Sequence, residues 1–250
     1  MSPARRVVVT GASSGIGADT VRVLREQGFE VAAVARRADR LEALAAETGA
    51  VAYAADLTDQ AQVDRLVADL LADGPVHALV NNAGGAFGLE PLEQASEDHW
   101  QRMYDINVLG TMRITRALLP HMRESGGGDF VFVTSVAAYS TYPGGAGYIA
   151  AKHAERAMSR TLRLELIAEP FRVIEIAPGA VQTEEFSLNR FGGDVERAAK
   201  VYEGFDPLQA IDIAEAIVWA LSRPPYVNID SMIIRPRAQF EAGSPHAKRP

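Results

Sequence analysis

The chain has 250 residues and contains no cysteine. This absence excludes disulfides, thiolate nucleophiles, thiolate metal sites and thiol redox motifs, and it suits a protein of the cytoplasm. No run of about 18 apolar residues occurs, so we expect no membrane-spanning helix and no membrane partner. Residues 1–10 enter a strand-like stretch directly, without the hydrophobic segment of a signal peptide. We therefore expect a cytoplasmic protein.

An excess of basic residues is also missing. Lys and Arg total 25 against 32 Asp and Glu, giving a net charge of −7, and no basic stripe is present that could neutralise a nucleic-acid backbone. We therefore expect no nucleic-acid partner. The length suits one α/β domain, which is large enough to fold without a metal or disulfide, and we expect no metal site. The predicted domain covers residues 1–240, with a polar, flexible tail at 241–250.

Short β-branched runs alternate with longer amphipathic stretches along the whole chain. This alternation is typical of parallel strands joined by helical crossovers. Several runs are apolar on both faces, as expected when helices cover both sides of a parallel sheet. The pattern predicts a single-domain, Rossmann-type doubly wound α/β sheet of about seven parallel strands with helices on both faces. The predicted strands are residues 5–10, 30–35, 51–55, 78–81, 130–135, 172–177 and 231–234.

Two longer segments between the strands carry specific expectations. Ser96 is a good N-cap, and the acidic residues after it favour the start of a long helix that passes Asn107 toward Leu119 and Pro120. Between Pro178 and about residue 207 the strand pattern lapses. A long segment of this kind in a compact domain is often functional, so we predict a substrate lid at about 180–207.

A glycine-rich turn follows the first predicted strand, with the sequence TGASSGIG from Thr10 to Gly17. Gly11 permits a tight strand-to-helix turn, Gly15 lets a pyrophosphate approach the backbone, and Gly17 allows the helix to pack close to the sheet. The unpaired N–H groups at the helix start can bind phosphate. This strand–turn–helix order predicts a dinucleotide site, although a tight turn without a ligand would show the same glycines.

The end of the second strand indicates which dinucleotide binds. NAD enzymes usually carry an acidic side chain there, which accepts the ribose hydroxyls and would repel a 2′-phosphate. Here the strand ends in Arg36 and Arg37. A guanidinium pairs well with phosphate, so we predict NADP(H), with Arg36 as the main contact and Ser13 assisting. The alternative is that both arginines are solvated surface residues.

Four polar residues form a candidate catalytic group. Tyr148 and Lys152 are four residues apart in a helix-forming segment, so they share one helix face. A nearby ammonium favours the phenolate, which makes Tyr148 a candidate general acid/base. Ser135 ends the fifth predicted strand, at the edge where ligands bind in such sheets. Asn107 lies inside a helix that its side chain does not favour, and it could hold a water for proton relay to Lys152.

Together these motifs resemble the short-chain dehydrogenase/reductase family, and the resemblance covers almost the whole chain. The segments that carry it are residues 10–17, 55–57, 81–84, Asn107, Ser135, Tyr148 with Lys152, residues 178–179 and Thr183. The resemblance implies a catalytic tetrad of Asn107, Ser135, Tyr148 and Lys152. It implies that Asp56 contacts the adenine, that Thr183 bonds the nicotinamide carboxamide and that Lys152 also holds the ribose. The full set expected to bind the cofactor is Gly11, Ser13, Ser14, Gly15, Ile16, Gly17, Arg36, Arg37, Asp56, Leu57, Asn82, Ala83, Gly84, Tyr148, Lys152, Pro178, Gly179, Val181 and Thr183.

The C-terminal third is similar to one group within the family, the NADP-dependent serine 3-dehydrogenases, also described as allo-threonine or 3-hydroxy acid dehydrogenases. The matching stretches are residues 183–186, 190–194, 214–219 and 227–229. The similarity implies hydride transfer between the nicotinamide and the 3-hydroxyl of a small acid. We expect Ser135 and Tyr148 to contact this substrate, and Arg190 to bind its carboxylate because a guanidinium matches carboxylate geometry. The alternative is that Arg190 is a solvated arginine of the lid.

Two other functions fit the sequence. The chain could be a carbonyl reductase for a bulkier ketone or aldehyde, because the pocket is formed by the variable segments 87–89, 136–145 and 186–202. It could also be a non-catalytic NADP-binding interaction protein, although Ser135, Tyr148 and Lys152 are all present. The family resemblance further implies a homo-oligomer, either a tetramer or a dimer.

Overall fold

A seven-stranded parallel sheet forms the centre of residues 5–243, the part of the chain that this computed structural model describes. Its strands are β1 (Arg6–Thr10), β2 (Glu30–Ala35), β3 (Val51–Ala54), β4 (Ala78–Asn81), β5 (Gly128–Val133), β6 (Phe171–Pro178) and β9 (Met232–Ile234). The strand order is β3-β2-β1-β4-β5-β6-β9. A second, two-stranded sheet pairs β7 (Val181–Gln182) with β8 (Leu208–Gln209). The prediction of a single-domain doubly wound fold is confirmed.

Helices cover both faces of the large sheet. One face packs against α1 (Gly15–Glu26), α2 (Ala38–Thr48) and α9 (Ala210–Leu221); the other packs against α3 (Gln60–Ala72), α5 (Gly110–Glu124) and α6 (Ala146–Glu165). The remaining helices are α4 (Glu97–Tyr104), α7 (Phe186–Arg190) and α8 (Val195–Lys200). Among residues 5–243, no helix combines the length and the apolar character needed to cross a bilayer.

The buried strand β1 shows why the sequence forms this layered core. Val7 and Val9 belong to the apolar cluster on the side of α1 and α9, whereas Val8 belongs to the cluster on the opposite side. All three are fully buried. Burying an aliphatic side chain of this size contributes about 1.5–3 kcal/mol, so a strand that is apolar on both faces is stable only between two helical layers.

The parallel register gathers the carboxyl ends of the strands at one edge of the sheet. Thr10 of β1 lies opposite Val34 of β2, and Asn81 of β4 lies opposite Phe132 of β5. The turn after β1, the segment after β4 and Ser135 after β5 therefore meet at this edge, as expected for ligand sites in doubly wound sheets.

The helix that begins after Ser96 starts as predicted, but its later course differs from the prediction in two respects. The Ser96 hydroxyl accepts a hydrogen bond from the His99 N–H at 3.3 Å, so the predicted N-cap is present. The helical stretch then continues one turn beyond Pro120 to Glu124, and it contains a π-helical turn at Asp105–Leu109. Proline is tolerated because the carbonyl that loses its partner belongs to Arg116, an exposed residue.

The segment predicted as an irregular lid, residues 180–207, contains regular structure. It holds β7, α7 and α8 in succession. The lapse in strand pattern therefore reflects short helices, which the sequence analysis did not predict. In the predicted tail, Ala242 is buried and its N–H donates to the Ser140 hydroxyl at 3.2 Å. Residues 244–250 of that tail lie outside the described residues.

Candidate active site

A cavity of about 790 Å³ opens at the carboxyl edge of the sheet. It extends from the glycine turn to the lid segment, and it brings together nearly all the residues predicted from the sequence. Those in its wall are Gly11, Ser13, Ser14, Gly15, Ile16, Arg36, Arg37, Asp56, Leu57, Asn82, Ala83, Gly84, Ser135, Tyr148, Lys152, Pro178, Gly179, Val181, Thr183 and Arg190. Gly17 and Asn107 lie outside the wall.

The glycine turn has the geometry expected of a phosphate-binding loop. Gly11 has a φ of +67°, a conformation that side chains disfavour. A Cβ on Gly17 would lie 2.3 Å from the Gly11 carbonyl oxygen, so only glycine allows α1 to start this close to the turn. Ser14 precedes α1 without a side-chain cap, and the first N–H groups of the helix remain available to an anion.

Asn82 and Thr10 fix the turn against the end of β4. The Thr10 hydroxyl accepts hydrogen bonds from the N–H groups of Asn82 and Ala83, both at 3.0 Å. The Asn82 amide nitrogen donates to the Thr10 carbonyl at 2.9 Å. The side chain of Asn82 is thus engaged in holding the cavity wall, which leaves its neighbours Ala83 and Gly84 to face the cavity.

The two arginines at the end of β2 have different surroundings. The Arg37 guanidinium donates to the Ser13 hydroxyl at 2.8 Å and forms an ion pair with Glu185 of the lid segment. Arg36 is exposed at the cavity and has no ion-pair or hydrogen-bond partner among residues 5–243. A phosphate in this corner would therefore find one unpaired guanidinium and one already oriented by Ser13.

The remaining predicted cofactor contacts divide between two ends of the cavity. At one end, the Asp56 carboxylate accepts hydrogen bonds from the backbone and hydroxyl of Thr58 at 2.9 and 2.8 Å. At the other, Gly179 passes so close to Gln239 that a Cβ would lie 2.2 Å from its Oε1. Thr183 packs against Gly15, which closes the cavity between the lid segment and the glycine turn.

Tyr148, Lys152 and Ser135 form a buried polar group in the centre of the cavity. The Lys152 nitrogen lies 5.9 Å from the centre of the Tyr148 ring. The Ser135 hydroxyl oxygen accepts a hydrogen bond from the Ala137 N–H at 3.1 Å, and Ser135 lines the same cavity as Tyr148. Lys152 donates to the Val133 carbonyl at 3.1 Å, which anchors its ammonium behind the tyrosine.

Burial dominates the electrostatics of this group. It raises the pKa of Tyr148 above its usual range, while the Lys152 ammonium and the nearby Ser135 hydroxyl oppose that rise. Burial by itself would lower the pKa of Lys152, but the carboxylate of Glu155 and the nearby Tyr148 outweigh it and leave that pKa raised. Lys152 therefore stays charged at neutral pH and favours proton loss from Tyr148.

Asn107 occupies the π-helical turn between α4 and α5. Its amide nitrogen donates to the carbonyls of Met103 at 2.7 Å and Gly85 at 2.9 Å, and its oxygen accepts from the Gly85 N–H at 3.2 Å. The amide therefore holds the segment after β4 in place. Gly84 lies beside both the Asn107 oxygen and Lys152: a Cβ on Gly84 would lie 2.5 Å from the Asn107 Oδ1 and 3.5 Å from the Lys152 nitrogen. π-turns of this kind are frequent at functional sites.

Arg190, at the end of α7, reaches the cavity from the lid segment. Its guanidinium donates to the Tyr142 hydroxyl at 3.0 Å and to the Gly88 carbonyl at 3.3 Å. Its guanidinium carbon lies 5.8 Å from the centre of the Tyr148 ring. No carboxylate among the described residues forms an ion pair with it.

Three cavity or near-cavity residues were not named individually by the sequence analysis, although the first lies in the predicted pocket segment 136–145: Tyr142, Glu155 and Glu185. Glu155 follows Lys152 by three residues on one helix, a spacing that could have revealed the contact. Glu185 lies in the stretch similar to serine 3-dehydrogenases, but its partner Arg37 is 148 positions away. Nothing in the sequence around Tyr142 indicated its contact with Arg190. Within residues 5–243, no group of three or more metal-ligating side chains is present.

Comparison with known proteins decides the family. The short chain dehydrogenase family model matches residues 5–190. The chain belongs to the short-chain dehydrogenase family. It is 57% identical over 238 residues to an uncharacterised oxidoreductase of Mycobacterium tuberculosis, covering 95% of this chain and 93% of the relative. It is 40% identical over 240 residues to an NADP-dependent 3-hydroxy acid dehydrogenase of Salmonella typhi, covering 95% and 97%.

A solved structure gives the same picture. The closed form of a serine dehydrogenase complexed with NADP+ superposes with a TM-score of 0.92 at 37% identity, covering 98% of this chain and all of that one. The sequence-based prediction of an oxidoreductase acting on CH–OH groups is confirmed at the level of the family. The predicted cofactor, NADP(H), agrees with the cofactor named for these two relatives. The open glycine turn, the unpaired Arg36 and the size of the cavity fit such a molecule.

Proposed function

We propose that this dehydrogenase transfers hydride between NADP(H) and the 3-hydroxyl or 3-keto group of a small 3-hydroxy acid resembling serine or allo-threonine. One observation carries the substrate class: the Arg190 guanidinium lies 5.8 Å from the centre of the Tyr148 ring, with no carboxylate partner among the described residues. A cation that shares the cavity with the proposed proton-transfer group suits a substrate with a carboxylate at one end and a hydroxyl at the other.

Tyr148 is the general acid/base in this proposal. During reduction its hydroxyl donates a proton to the carbonyl oxygen, and during oxidation its phenolate accepts the proton of the alcohol. The Ser135 hydroxyl, which lines the same cavity, would hydrogen bond to the substrate oxygen. The Lys152 ammonium stabilises the phenolate through its charge. A nicotinamide bound in the cavity supplies or takes up the hydride.

The other predicted roles are divided along the cavity. The first N–H groups of α1 and the glycine turn would hold the pyrophosphate, and Arg36 with Arg37 would hold the 2′-phosphate. Asp56 would contact the adenine, and Thr183 the carboxamide. Asn107 completes the tetrad as a positioning residue, because its amide holds the segment at Gly85 beside Lys152.

A substrate panel tests the proposal. Purified protein is mixed with NADP+ or NAD+ and with L-serine, allo-threonine, 3-hydroxyisobutyrate or a neutral secondary alcohol of similar size, and the absorbance of reduced nicotinamide is followed. We expect NADP+ to be reduced with the hydroxy acids and not with the neutral alcohol. Silence with every acid, together with NADPH oxidation by a larger ketone, would replace the proposal by a carbonyl reductase.

We also propose that the chain works as a cytoplasmic homo-oligomer, a tetramer or a dimer. Two aromatic side chains on α4 support this, because Trp100 and Tyr104 are 36% and 45% exposed. Aromatic residues are enriched in protein–protein interfaces. Light scattering on the purified protein distinguishes the two assemblies from a monomer.

A further inference from the structure

A second buried charged residue, to which the proposed mechanism assigns no role, lies next to Lys152. Glu155, three residues after Lys152 on α6, is 1% exposed, and its carboxylate accepts a hydrogen bond from the Lys152 ammonium at 2.6 Å. The ammonium's other donor contact is the Val133 carbonyl. A buried carboxylate strongly destabilises the fold unless it is paired with a cation. The ion pair therefore holds the Lys152 ammonium and the Glu155 carboxylate in one position relative to each other.

The groups around Glu155 determine how its charge acts. Lys152 and Tyr148 face it from α6, and Glu175 faces it from β6. Glu175 is itself buried and occupied: it accepts hydrogen bonds from the hydroxyls of Thr134 at 2.8 Å and Tyr139 at 2.5 Å. The nearest cation to Glu175 is Arg156, at 3.7 Å. Lys152 is thus the cation that compensates Glu155 among the described residues.

We propose that Glu155 is a positioning residue of the reaction: it fixes the Lys152 ammonium and, through its negative charge, moves the pH range of catalysis by Tyr148 upward. The inference rests on the oxidoreductase chemistry of the family and on Tyr148 as the acid/base, and it does not depend on which alcohol is the substrate.

The sign of the charge effect follows from the arrangement. A negative charge beside the Tyr148–Lys152 pair makes it harder for the pair to lose a proton. Accordingly, the Glu155 carboxylate adds to the burial that raises the pKa of Tyr148. Burial raises the pKa of Glu155 to about 7, against the opposing effect of Lys152. Glu155 is therefore charged above neutral pH and becomes neutral below it.

A Glu155→Gln variant separates this role from a purely structural one, because glutamine keeps an oxygen that accepts from Lys152 but removes the charge. The measurement is the pH profile of alcohol oxidation with NADP+, whose acid limb reports deprotonation of Tyr148. We expect this limb to move to lower pH by at least about half a unit. A limb that stays in place while only the melting temperature falls would overturn the proposal.

Glu165→Gln is the matched charge control. It removes a carboxylate from the same helix at an exposed position, so the acid limb should coincide with that of the wild type. Glu175→Gln controls for the loss of a buried carboxylate without contact to Lys152, and its shift should be clearly smaller than that of Glu155→Gln. An equal shift in the Glu175→Gln variant would contradict a specific role of Glu155.

A second measurement needs no substrate. The ultraviolet absorbance of the Tyr148 phenolate, obtained as the difference between the protein and its Tyr148→Phe variant in the presence of NADP+, should titrate at lower pH when Glu155 is replaced by glutamine. If Glu155→Gln does not fold, Glu155→Asp takes its place. It keeps the charge and shortens the side chain, so we expect an unshifted pH profile with a turnover reduced several-fold. Wild-type turnover in Glu155→Asp would overturn the positioning role.

Discussion

Arg190 and Tyr142 are joined by a 3.0 Å hydrogen bond from the guanidinium to the phenol hydroxyl. The first residue belongs to the lid segment and the second to the stretch before α6, so their contact closes one end of the cavity beside Tyr148. The ring of Tyr142 also lies 5.4 Å from the guanidinium carbon. The Arg190 guanidinium, which lies 5.8 Å from the centre of the Tyr148 ring, has no carboxylate partner among the described residues.

Replacement of Arg190 by methionine tests this cation directly. We expect KM for hydroxy acids to rise about 10- to 100-fold, since a hydrogen bond to a charged group contributes about 1.5–3 kcal/mol. The KM of any neutral alcohol that is accepted should change little. Steady-state kinetics with both substrate types provide the measurement.

Arg197→Met is the control for Arg190. Arg197 lies on the same lid segment but is not part of the cavity wall; its guanidinium carbon lies 4.7 Å from the ring centre of Phe191, which lines the cavity. We expect wild-type kinetics from this variant. An equal rise in KM for acids and neutral alcohols in the Arg190 variant would show that Arg190 only stabilises the lid.

Tyr148→Phe removes the proposed acid/base without changing the aromatic packing against Phe186, whose ring centre lies 5.7 Å away. Positioned proton transfer contributes roughly 10²- to 10⁴-fold to rate, and we expect kcat to fall by that factor. Binding of NADPH, followed by its fluorescence, should remain close to that of the wild type.

The control is Tyr139→Phe. The Tyr139 hydroxyl bonds to Glu175 and lies outside the cavity wall, so this variant should keep its turnover. If Tyr148→Phe retained full activity, the chain would be either an enzyme with another acid/base or the non-catalytic NADP-binding protein considered above.

Arg36 and Arg37 should determine the preference for NADP+ over NAD+. In a variant with both replaced by serine, we expect the affinity for NADP+ to fall about 100-fold or more, because two charge-assisted contacts to the 2′-phosphate are lost. The affinity for NAD+, which lacks that phosphate, should change little. Fluorescence titration with NADPH and NADH measures both.

Arg40→Ser serves as the control for these arginines. Arg40 itself is not part of the cavity wall, and it pairs with Glu184 and with Glu185, which Arg37 also holds. Its loss should change the ratio of the two affinities by less than about threefold, because ion pairs of a solvent-exposed side chain contribute little. A double variant of Arg36 and Arg37 that bound both cofactors equally weakly would indicate a damaged fold instead of a lost phosphate contact.

His77, which directly precedes β4, should make the stability of the fold depend on pH. Its Nδ1 accepts a hydrogen bond from the Arg6 N–H at 3.0 Å, which requires a neutral ring. Burial and the charges of Arg5 and Arg6 lower the pKa of His77. A histidine whose pKa is lower in the folded state contributes stability above its unfolded pKa of about 6.5, and this is lost as the pH falls through the folded value.

We therefore expect His77→Asn, which retains an acceptor, to lose less stability than the wild type between pH 7 and about pH 5. Melting temperatures measured across this range give the comparison. His121→Asn, at an exposed histidine of α5, should follow the wild-type curve. A parallel curve for His77→Asn would show that His77 does not contribute to acid destabilisation.

The fold could be read from the sequence because its strands carry strong local signals. The buried strand β1 carries three consecutive valines, Val7 to Val9, and Ser96 marks a helix start by its side-chain chemistry. The lid segment gave no such signal, since α7 and α8 have five and six residues, too few for a periodic pattern. Their positions depend on contacts with distant parts of the chain, such as the hydrogen bond from the Gly88 N–H to the Arg190 carbonyl.

The candidate site was predictable to the extent that it depends on strand ends. Ser135, Tyr148 and Lys152 meet because parallel strands end at one edge and because residues four apart share a helix face. The sequence showed Glu155 near Lys152 as well, but not that both are buried, which depends on β6 and β5 packing against α6. Likewise, the sequence could not show that Arg37 is oriented by Ser13 and held by Glu185, whereas Arg36 is unpaired.

The π-helical turn at Asp105–Leu109 fixes the number of residues that must separate α4 from α5. Each residue of an α-helix advances the chain by about 100° around its axis. Deleting one residue from this turn would restore regular α-helical bonding and rotate one helix relative to the other by about that angle. Either the buried face of α5 or the amide of Asn107 would then face the wrong way. Family members that keep both should therefore tolerate substitutions here far better than a change in length.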